Sequence, residues 1–476
     1  MKRYNMTNFI IVALVVTAVY QTGQLWLEGT TSHNFFYMAR QLFSKQSVED
    51  VTKNALLATR YAIGDGSSNF SVYYPDQVGN STTLQQANDV LREILVENIG
   101  DSTELMEADW KEMFQNRCIV MQYDFMITME EYLSEMRSLK NGQPLEEFDY
   151  ITIIPAKRAG EESKTYFINS KENTCILYSG LKTKTAPILH QTLMQEQNDM
   201  VYISTSQKTS SGILRRNLFL PQWANLPYDY KTLQQKPAFE QNGSASLQLL
   251  EKTAERFFGN FSVDWSNREG NGDFIFSDSD VVLRYHTDNR VLEYYNYANY
   301  GSDGKKTELL EGYQISCDFL MNDSSLKTDV YLADISSNSN EIVYYFDYVV
   351  DHLPVYLSKE LQSQIGSRHA IEITIRNDSV KKYRRYAVNY EIAQNHAKLN
   401  VQFIDALDIA NRQYQQSVEQ REIADVKNIA LAYYADCTDK IALYWFVNLY
   451  QEIFIIPTDS TKIVVIAEEL TEAIAE

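Results

Sequence analysis

The sequence has few of the residues from which reactive centres are built. It contains four cysteines in 476 residues, and none is part of a C-x-x-C pair, so neither a thiol redox pair nor a dense disulfide framework is indicated. Its six histidines are scattered without an H-E-x-x-H or H-x-x-x-H pair, which gives no basis for a zinc site. A glycine-rich phosphate loop and a G-x-S-x-G nucleophile motif are also missing. We therefore predict a protein that is not an enzyme and that uses no metal or cofactor.

Positive charge is also scarce. The chain has 43 Lys and Arg residues against 63 Asp and Glu residues, which gives a net charge of −20. Proteins bind nucleic acids through clustered Lys and Arg, so this balance argues against a nucleic-acid partner. A hydrophobic content of 44% with 12% aromatics is typical of a chain with buried cores, and the length predicts two to four domains.

The cysteines are far apart in the chain. In an oxidising compartment three pairings are open to them, and the sequence does not choose among these. Isolated buried thiols are the favoured interpretation, because free cysteine is among the residues most often buried. The four are Cys118, Cys175, Cys317 and Cys437.

Only one apolar run is long enough to cross a membrane. Residues 9–20 are almost entirely apolar, and the run continues to Leu25, Trp26 and Leu27. A helix over 6–27 would be about 33 Å long, enough for a hydrocarbon core of about 30 Å. We predict a single transmembrane helix at 6–27.

A cleaved signal peptide is the competing interpretation of this run, since it also has a basic start and a short apolar core. The uncleaved anchor is favoured because no small-x-small site closes the run and Trp26 stands where an interfacial aromatic belongs. Lys2 and Arg3 precede the run and Glu28 is the first charge after it. This charge distribution predicts a cytoplasmic tail at 1–5, with the bulk of the chain outside the cell membrane.

The predicted membrane helix carries small and polar residues that suit close helix packing. Ala13, Thr17 and Gln24 share one helical face by spacing, and Gly23 lies off it. The candidates for contact with a partner in the membrane are Ala13, Thr17, Ala18, Thr22, Gly23 and Trp26.

The rest of the chain predicts an α+β protein. Residues 28–215 mix helical and strand patterns, whereas 216–245 has no clear periodicity and is predicted to be a linker that packs along the surface. Two regions, 246–338 and 339–476, are each rich in β-strands and each contain a hairpin and a helix.

The hairpins of these two regions are similar in sequence. Strands at 281–286 and 291–297 are joined by a turn, and strands at 371–375 and 380–386 are joined by Asn377-Asp378-Ser379. Their return strands match at three spaced positions with an offset of 89 residues, from Val291 to Val380. This spacing predicts a duplicated domain.

A basic cluster stands out in the acidic sequence, at Lys381, Lys382, Arg384 and Arg385. One interpretation is the solvated face of a strand. The other is contact with an acidic partner surface, which would weaken with salt. The tyrosines Tyr294, Tyr295, Tyr297 and Tyr300 likewise indicate either cross-strand packing or an interface.

Four local features of the sequence together resemble one known family. They are the anchor ending Gln24-Leu25-Trp26-Leu27; Tyr344-Tyr345-Phe346-Asp347-Tyr348 with Leu353-Pro354-Val355 and the later Val380-x-x-Tyr383-Arg384-Arg385; Ala406-Leu407-Asp408-Ile409-Ala410 followed by Val426-Lys427-Asn428-Ile429-Ala430-Leu431-Ala432-Tyr433; and Tyr123-Asp124-Phe125-Met126-Ile127-Thr128 before a helix. These features resemble the YycH and YycI family, paired extracytoplasmic regulators of Gram-positive bacteria. The length fits the longer, three-domain YycH type better than the YycI type.

The resemblance implies a fold in which the two β-rich regions are YycI-like domains, each an antiparallel sheet with a helix. It implies a single-pass membrane protein that regulates an essential sensor histidine kinase of cell-wall metabolism. The implied partners are that kinase and a YycI-like companion, with which the protein would form a heterodimer. A surface-tethered binding module for a peptide or cell-wall fragment is the alternative hypothesis.

Overall fold

The structure is a computed structural model. It describes residues 58–67, 69–74, 82–98, 104–135, 144–195, 201–207, 217–222, 229–241, 243–258, 265–270, 272–278, 280–298, 307–338, 340–417, 426–438, 440–449 and 452–461.

A first antiparallel sheet occupies the N-terminal part of the described chain. Its strands lie side by side in the order β3-β7-β6-β5-β4-β1-β2-β8-β9. The elements in chain order are β1 (Arg60–Asp65), β2 (Asn69–Tyr73), α1 (Thr82–Glu97), β3 (Leu105–Glu107), α2 (Trp110–Phe114), β4 (Arg117–Thr128), α3 (Met129–Glu135), β5 (Glu147–Ile154), β6 (Ser163–Asn169), β7 (Thr174–Gly180), α4 (Ala186–Gln195), β8 (Val201–Ser204), a 3₁₀ turn (Thr205–Gln207) and β9 (Phe219–Pro221).

Both faces of this sheet are covered, and β4 shows why. Its alternate residues point to opposite faces, so Ile119 packs in the core under α1 and α4 while Val120 packs in a second core with Trp110 of α2. A strand that is buried on both faces has a continuous apolar run in its sequence, as at Cys118–Met121.

A second, larger sheet contains most of the remaining strands. Its order is β13-β14-β15-β16-β21-β20-β18-β19-β23-β24-β10-β22, with β17 paired to β18 and β25 to β24. The elements are β10 (Asp229–Pro237), β11 (Glu240–Gln241), β12 (Ser244–Ala245), α5 (Leu247–Phe257), β13 (Trp265–Arg268), β14 (Phe274–Asp278), β15 (Val281–His286), β16 (Val291–Asn296), α6 (Leu309–Asn322), β17 (Val330–Ser337), β18 (Ile342–Val350), β19 (Leu353–Leu357), α7 (Lys359–Ile365), β20 (Ile371–Arg376), β21 (Ser379–Tyr386), β22 (Val388–Lys398), α8 (Phe403–Ser417), β23 (Val426–Ala435), β24 (Lys440–Leu449) and β25 (Glu452–Pro457).

The predicted hairpins are confirmed, and their return strands pair with each other. β15 pairs with β16 and β20 with β21, and β16 pairs antiparallel with β21 so that Tyr294 lies opposite Tyr383. Asn377 and Asp378 have positive φ angles of 50° and 54°, which short polar side chains tolerate in a tight hairpin turn. The predicted duplication itself stays a prediction.

Helix α6 covers the inner face of this part of the sheet. Phe319 of α6 packs on Tyr294 and Tyr383 at ring distances of 5.0 and 5.3 Å. Gly312 lies in the helix interior, where glycine costs about 1 kcal/mol relative to alanine. A Cβ atom at Gly312 would lie 2.5 Å from the Tyr344 hydroxyl, so the close approach of helix and strand requires glycine here.

The two sheets meet at a junction with a buried arginine. Arg60 of β1 donates from Nε to Gln122 Oε1 of β4 at 2.7 Å and from a terminal nitrogen to Asn428 Oδ1 of β23 at 3.2 Å. Beside it the rings of Tyr74 and Tyr331 lie 5.1 Å apart. One side chain therefore forms hydrogen bonds with strands of both sheets.

Segment 216–245, predicted to be a linker, contains strand β10 within the second sheet. β10 pairs with β22 and β24, and its Leu233 is fully buried. A register shift between Lys231 and Leu233 breaks the alternation along the strand, which is why period two was not visible in the sequence.

The division into domains stays a prediction, although two facts bear on it. The boundary proposed between 338 and 339 falls in the connection between β17 and β18, which pair with each other. Helix α6 lies in the middle region and was not predicted, because its interior glycine interrupts the helical pattern.

The described residues form a mixed structure of helices and large antiparallel sheets, so the predicted α+β class is confirmed. The predicted cytoplasmic tail at 1–5 and the predicted membrane helix at 6–27 lie outside these residues. None of the helices in the described ranges is both long and apolar enough to span a membrane.

Candidate functional site: a polar row and a groove

The basic cluster of the sequence lies on β21, where the side chains from Lys382 to Arg385 point alternately to opposite faces. Arg385 points inward with Tyr383 and is fully buried. Its Nη1 lies 2.6 Å from Asp323 Oδ2, and its Nε donates to the Tyr348 hydroxyl at 3.0 Å. Burial alone would raise the pKa of Asp323, but the Arg385 charge and further hydrogen bonds hold that pKa below its ordinary value.

The other three cations of the cluster are also paired within the chain. The charged atoms of the pairs are separated by 2.5 Å for Lys381–Glu341, 3.8 Å for Lys382–Glu372 and 3.3 Å for Arg384–Glu293. The acidic groups that the cluster contacts in the structure therefore belong to its own chain, and Arg385 has no surface to offer a partner.

The outward face of the same strands carries a row of polar side chains in register, which we call the polar row. Its members lie opposite one another on neighbouring strands, so that acidic groups alternate with arginines at one end. Cross-strand pairs of opposite charge stabilise a sheet by about 0.2–1 kcal/mol each. In strand order from β17 to β15 the members are Asp334, Tyr345, Glu372, Arg384, Glu293 and Arg284.

His286 adjoins the β15 end of the polar row and lies between two carboxylates. Its Nδ1 is 2.8 Å from Asp273 Oδ2 and its Nε2 is 3.2 Å from Glu293 Oε2. Only the protonated imidazole can donate from both nitrogens. The hydrogen bond to Glu293, helped by Asp273 and opposed by partial burial, raises the pKa of His286, and the same bond lowers the pKa of Glu293.

This arrangement predicts a pH-dependent stability. The stabilisation from His286 is complete below its ordinary pKa of 6.5 and is lost as pH rises through the raised value. The stabilisation from Glu293 is present above its ordinary pKa of 4.5 and is lost as pH falls through the lowered value. We expect the wild type to have a higher free energy of unfolding than His286→Gln. This difference should be about 1 kcal/mol larger at pH 5.5 than at pH 8.5.

Denaturant titrations at the two pH values measure this difference. His396→Gln is the matched control, because the His396 side chain is exposed on β22 and forms no hydrogen bond with a described residue. A pH dependence that is the same in both variants would contradict the role of His286.

A groove of about 520 Å³ lies at the other end of the polar row, bordered by helix α7. His369 lines it, and the ring is held by Asp347, whose Oδ2 is 2.8 Å from Nδ1. Asp347 Oδ1 accepts from the backbone of Ala370 at 2.9 Å. Burial would lower the pKa of His369, but the charge of Asp347 and its hydrogen bond raise it above the ordinary value.

The tyrosines singled out in the sequence divide between the two faces. Tyr294 is buried against α5 and α6, with its ring 5.7 Å from that of Phe257. Tyr295 stacks on Tyr297 at 6.2 Å, and Tyr297 is 48% exposed. Cross-strand and helix packing therefore accounts for Tyr294, whereas Tyr300 lies outside the described residues.

The cysteines are free. Cys118, Cys175 and Cys317 are buried, as predicted, and Cys437 is exposed. Burial raises the pKa of Cys118 to about 12, which disfavours the reactive thiolate. Among the described residues no group of His, Cys, Asp and Glu is arranged to hold a metal ion.

The proposed membrane contacts Ala13, Thr17, Ala18, Thr22, Gly23 and Trp26 all lie outside the described residues. Sequence reasoning missed the polar row, His286 and the His369–Asp347 pair. The alternation of side chains along β21 could have placed Arg384 and Arg385 on opposite faces of the sheet. The contact of His369 with Asp347, however, depends on residues 22 positions apart meeting at the end of α7, for which the sequence carries no local signal.

No family model matches this sequence, and no curated protein matches it at a significant level. Among solved structures the chain is similar to YycH from Bacillus subtilis, with a TM-score of 0.48 and 12% identity over 86% of this chain and 97% of that chain.

Two further solved structures are similar to parts of the chain. One is an uncharacterised protein from Eubacterium rectale, with a TM-score of 0.31 and 12% identity over 54% of this chain and 86% of that chain. The other is the YpeB C-terminal domain from Bacillus megaterium, with a TM-score of 0.25 and 11% identity over 46% of this chain and 94% of that chain. YycH, of the family that the sequence resembles, is thus among the solved structures to which this chain is similar.

Proposed function

We propose that this protein is a membrane-anchored extracytoplasmic regulator of a sensor histidine kinase that controls cell-wall metabolism. The anchor at 6–27 packs beside the membrane helices of the kinase, and the α+β region outside sets its position. A YycI-like companion is the second partner, in a heterodimer. The protein itself carries out no reaction.

The observation that supports this proposal best is where the resembling residues lie. The resembling segments are separated in sequence but lie in one part of the second sheet. Tyr344–Tyr348 lies on β18 and Leu353–Val355 on β19, which pairs with β18. Val380–Arg385 lies on β21, which pairs with β20, the other neighbour of β18. Tyr348 and Arg385 are hydrogen-bonded to each other. Three of the residues that carry the resemblance, Tyr348, Tyr383 and Arg385, thus belong to one buried polar network around Asp323.

Replacing the anchor tests the proposal. In a chimera whose residues 6–27 are exchanged for an unrelated membrane helix of the same length, we expect kinase-dependent reporter output to change to that of a deletion strain. The reason is that helix packing in a bilayer depends on close contact at small residues. Reporter transcription and the amount of folded protein in the membrane are measured together.

A finer comparison uses two double variants that each introduce two leucines into the predicted helix. Ala13→Leu with Thr17→Leu changes the proposed packing face, whereas Val15→Leu with Val19→Leu changes the opposite side of the predicted helix. We expect only the first pair to alter kinase output. Normal signalling from the chimera would refute a role for the anchor in contact with the kinase.

The alternative function, a surface-tethered binding module, is favoured by one observation. The groove beside α7, at about 520 Å³, falls within the range of about 300–1,000 Å³ that is usual for ligand sites. A ligand that binds the purified protein in the absence of any kinase would support this function. Both functions can reside in the same chain, since no residue that lines the groove belongs to segment 6–27.

A further inference from the structure

The groove beside α7 has two walls of opposite charge. On one wall Lys359 begins α7 and Arg368 follows its end, and both side chains are exposed. Neither of the two forms an ion pair with a described residue. These cations differ in this respect from those on β21, each of which is paired with a carboxylate.

The opposite wall is formed by strand residues of the polar row. Asp334 of β17 accepts a hydrogen bond from the backbone of Ile335 at 2.8 Å, but no cation among the described residues pairs with its carboxylate. Glu372 lies two strands away, 3.8 Å from Lys382. Asp334 interacts electrostatically with Arg368, yet the fold holds the two side chains apart without a direct contact.

Because the two cations and the Asp334 carboxylate border the groove without contacting each other, these charged groups are solvated by water. A ligand with an ammonium and a carboxylate could satisfy both at once, because charge-assisted hydrogen bonds to a fixed partner are among the strongest in proteins. Polar and aromatic groups also line the groove. The ring of Tyr345 lies 5.0 Å from that of His369, and Nε2 of His369 has no hydrogen bond to a described residue.

We propose that this groove binds a zwitterionic ligand of short-peptide size, with its carboxylate held by Arg368 and Lys359 and its ammonium held by Asp334. His369, fixed in orientation by Asp347, borders the carboxylate side. The volume of about 520 Å³ accommodates two or three residues of a peptide. This inference names a ligand class for the alternative function above and does not depend on regulation of a kinase.

The test measures binding of four forms of one peptide to the purified full-length chain in detergent micelles by calorimetry. The probe is trialanine with free termini, with an acetylated N-terminus, with an amidated C-terminus, or with both ends blocked. We expect each block to weaken binding about tenfold, as for the loss of one charge-assisted hydrogen bond at a partly exposed site.

Two variants assign the ends of the peptide. In the double variant Lys359→Ala with Arg368→Ala the free and amidated forms should bind equally, while acetylation still weakens binding. In Asp334→Asn the pattern should reverse. Arg158→Ala and Asp288→Asn are the matched controls, because both side chains are exposed away from the groove, and they should leave all four affinities unchanged.

Equal affinity of the four forms, or no detectable binding of the free peptide at millimolar concentration, would overturn the proposal. So would a dependence on the termini that persists unchanged in both groove variants, since the peptide would then bind elsewhere. None of these outcomes concerns kinase output, so the proposed regulation would stand or fall separately.

Discussion

Replacing Arg385 with methionine is expected to lower the free energy of unfolding by about 3–5 kcal/mol. Arg385 and Asp323 are both fully buried, with 2.6 Å between Nη1 and Oδ2. The guanidinium also donates to Ser325 Oγ at 2.8 Å and to the Tyr348 hydroxyl at 3.0 Å. Methionine fills a similar volume but leaves the Asp323 carboxylate charged and without its cation, in a place that water does not reach.

Equilibrium denaturation in urea measures this loss. The matched control is Lys382→Met on the same strand, which removes an equal charge from a side chain that is 30% exposed and 3.8 Å from Glu372. Its expected cost is below about 1 kcal/mol, as for partly exposed ion pairs. Similar losses for the two variants would mean that Arg385 is not the buried centre described here.

A double variant separates the pair from its surroundings. If Arg385→Met is combined with Asp323→Leu, the uncompensated charge is removed, and we expect much of the stability to return. Replacement of a buried ion pair by apolar residues of similar volume is often close to neutral. The coupling between the two positions then follows from the thermodynamic cycle.

Arg60→Met is expected to loosen the junction between the two sheets. The substitution leaves Gln122 Oε1 and Asn428 Oδ1 without the donor that now contacts them at 2.7 and 3.2 Å. A buried acceptor left without a partner costs about 1–3 kcal/mol; Gln122 is buried and Asn428 only partly so, and the expected loss is therefore at least about 1 kcal/mol. Because Gln122 and Asn428 belong to different sheets, the substitution weakens the attachment of the two sheets to each other.

Calorimetry should therefore show the first sheet unfolding at a lower temperature than the second, as a separate transition. Arg158→Met, an exposed arginine in the first sheet region, is the control and should leave the thermogram unchanged. A single transition at the temperature of the wild type in Arg60→Met would contradict the bridging role of Arg60. A change in kinase output in this variant would connect the junction to the proposed regulation.

Local elements were predicted well where periodicity was strong. Sequence patterns predict helices at 84–99, 129–136 and 401–418, and the structure has α1 (Thr82–Glu97), α3 (Met129–Glu135) and α8 (Phe403–Ser417) at these places. Their amphipathic spacing is set by neighbours three and four residues apart. The hairpins were predicted equally well, because turn residues and alternation act over the same short distance.

Strand β10 and helix α6 were missed for local reasons as well. A bulge shifts the register within β10 between Lys231 and Leu233, and Gly312 interrupts the helical pattern of α6. The departure in α6 is explained by tertiary packing. In α6 the glycine is required by the approach of Tyr344, and the sequence of the helix alone contains no trace of that contact.

The basic cluster shows most clearly what a linear pattern leaves open. Four cations in five residues indicated an exposed surface, but strand geometry divides them between two faces, and Arg385 is buried with Asp323, a residue 62 positions away. The sequence contained the alternation that separates Arg384 from Arg385. It did not contain the identity of the buried partner.

By itself the sequence determined the α+β class, both hairpins and most of the helices in the described part of the chain, since each depends on residues close together in the chain. The anchor at 6–27 stays a prediction. Only the tertiary structure decided the pairing of β16 with β21, the polar row, the Arg60 junction and the groove beside α7. Each of these consists of side chains brought together by strand order and register. Strand order is set by burial across the whole sheet, which no segment of the sequence specifies alone.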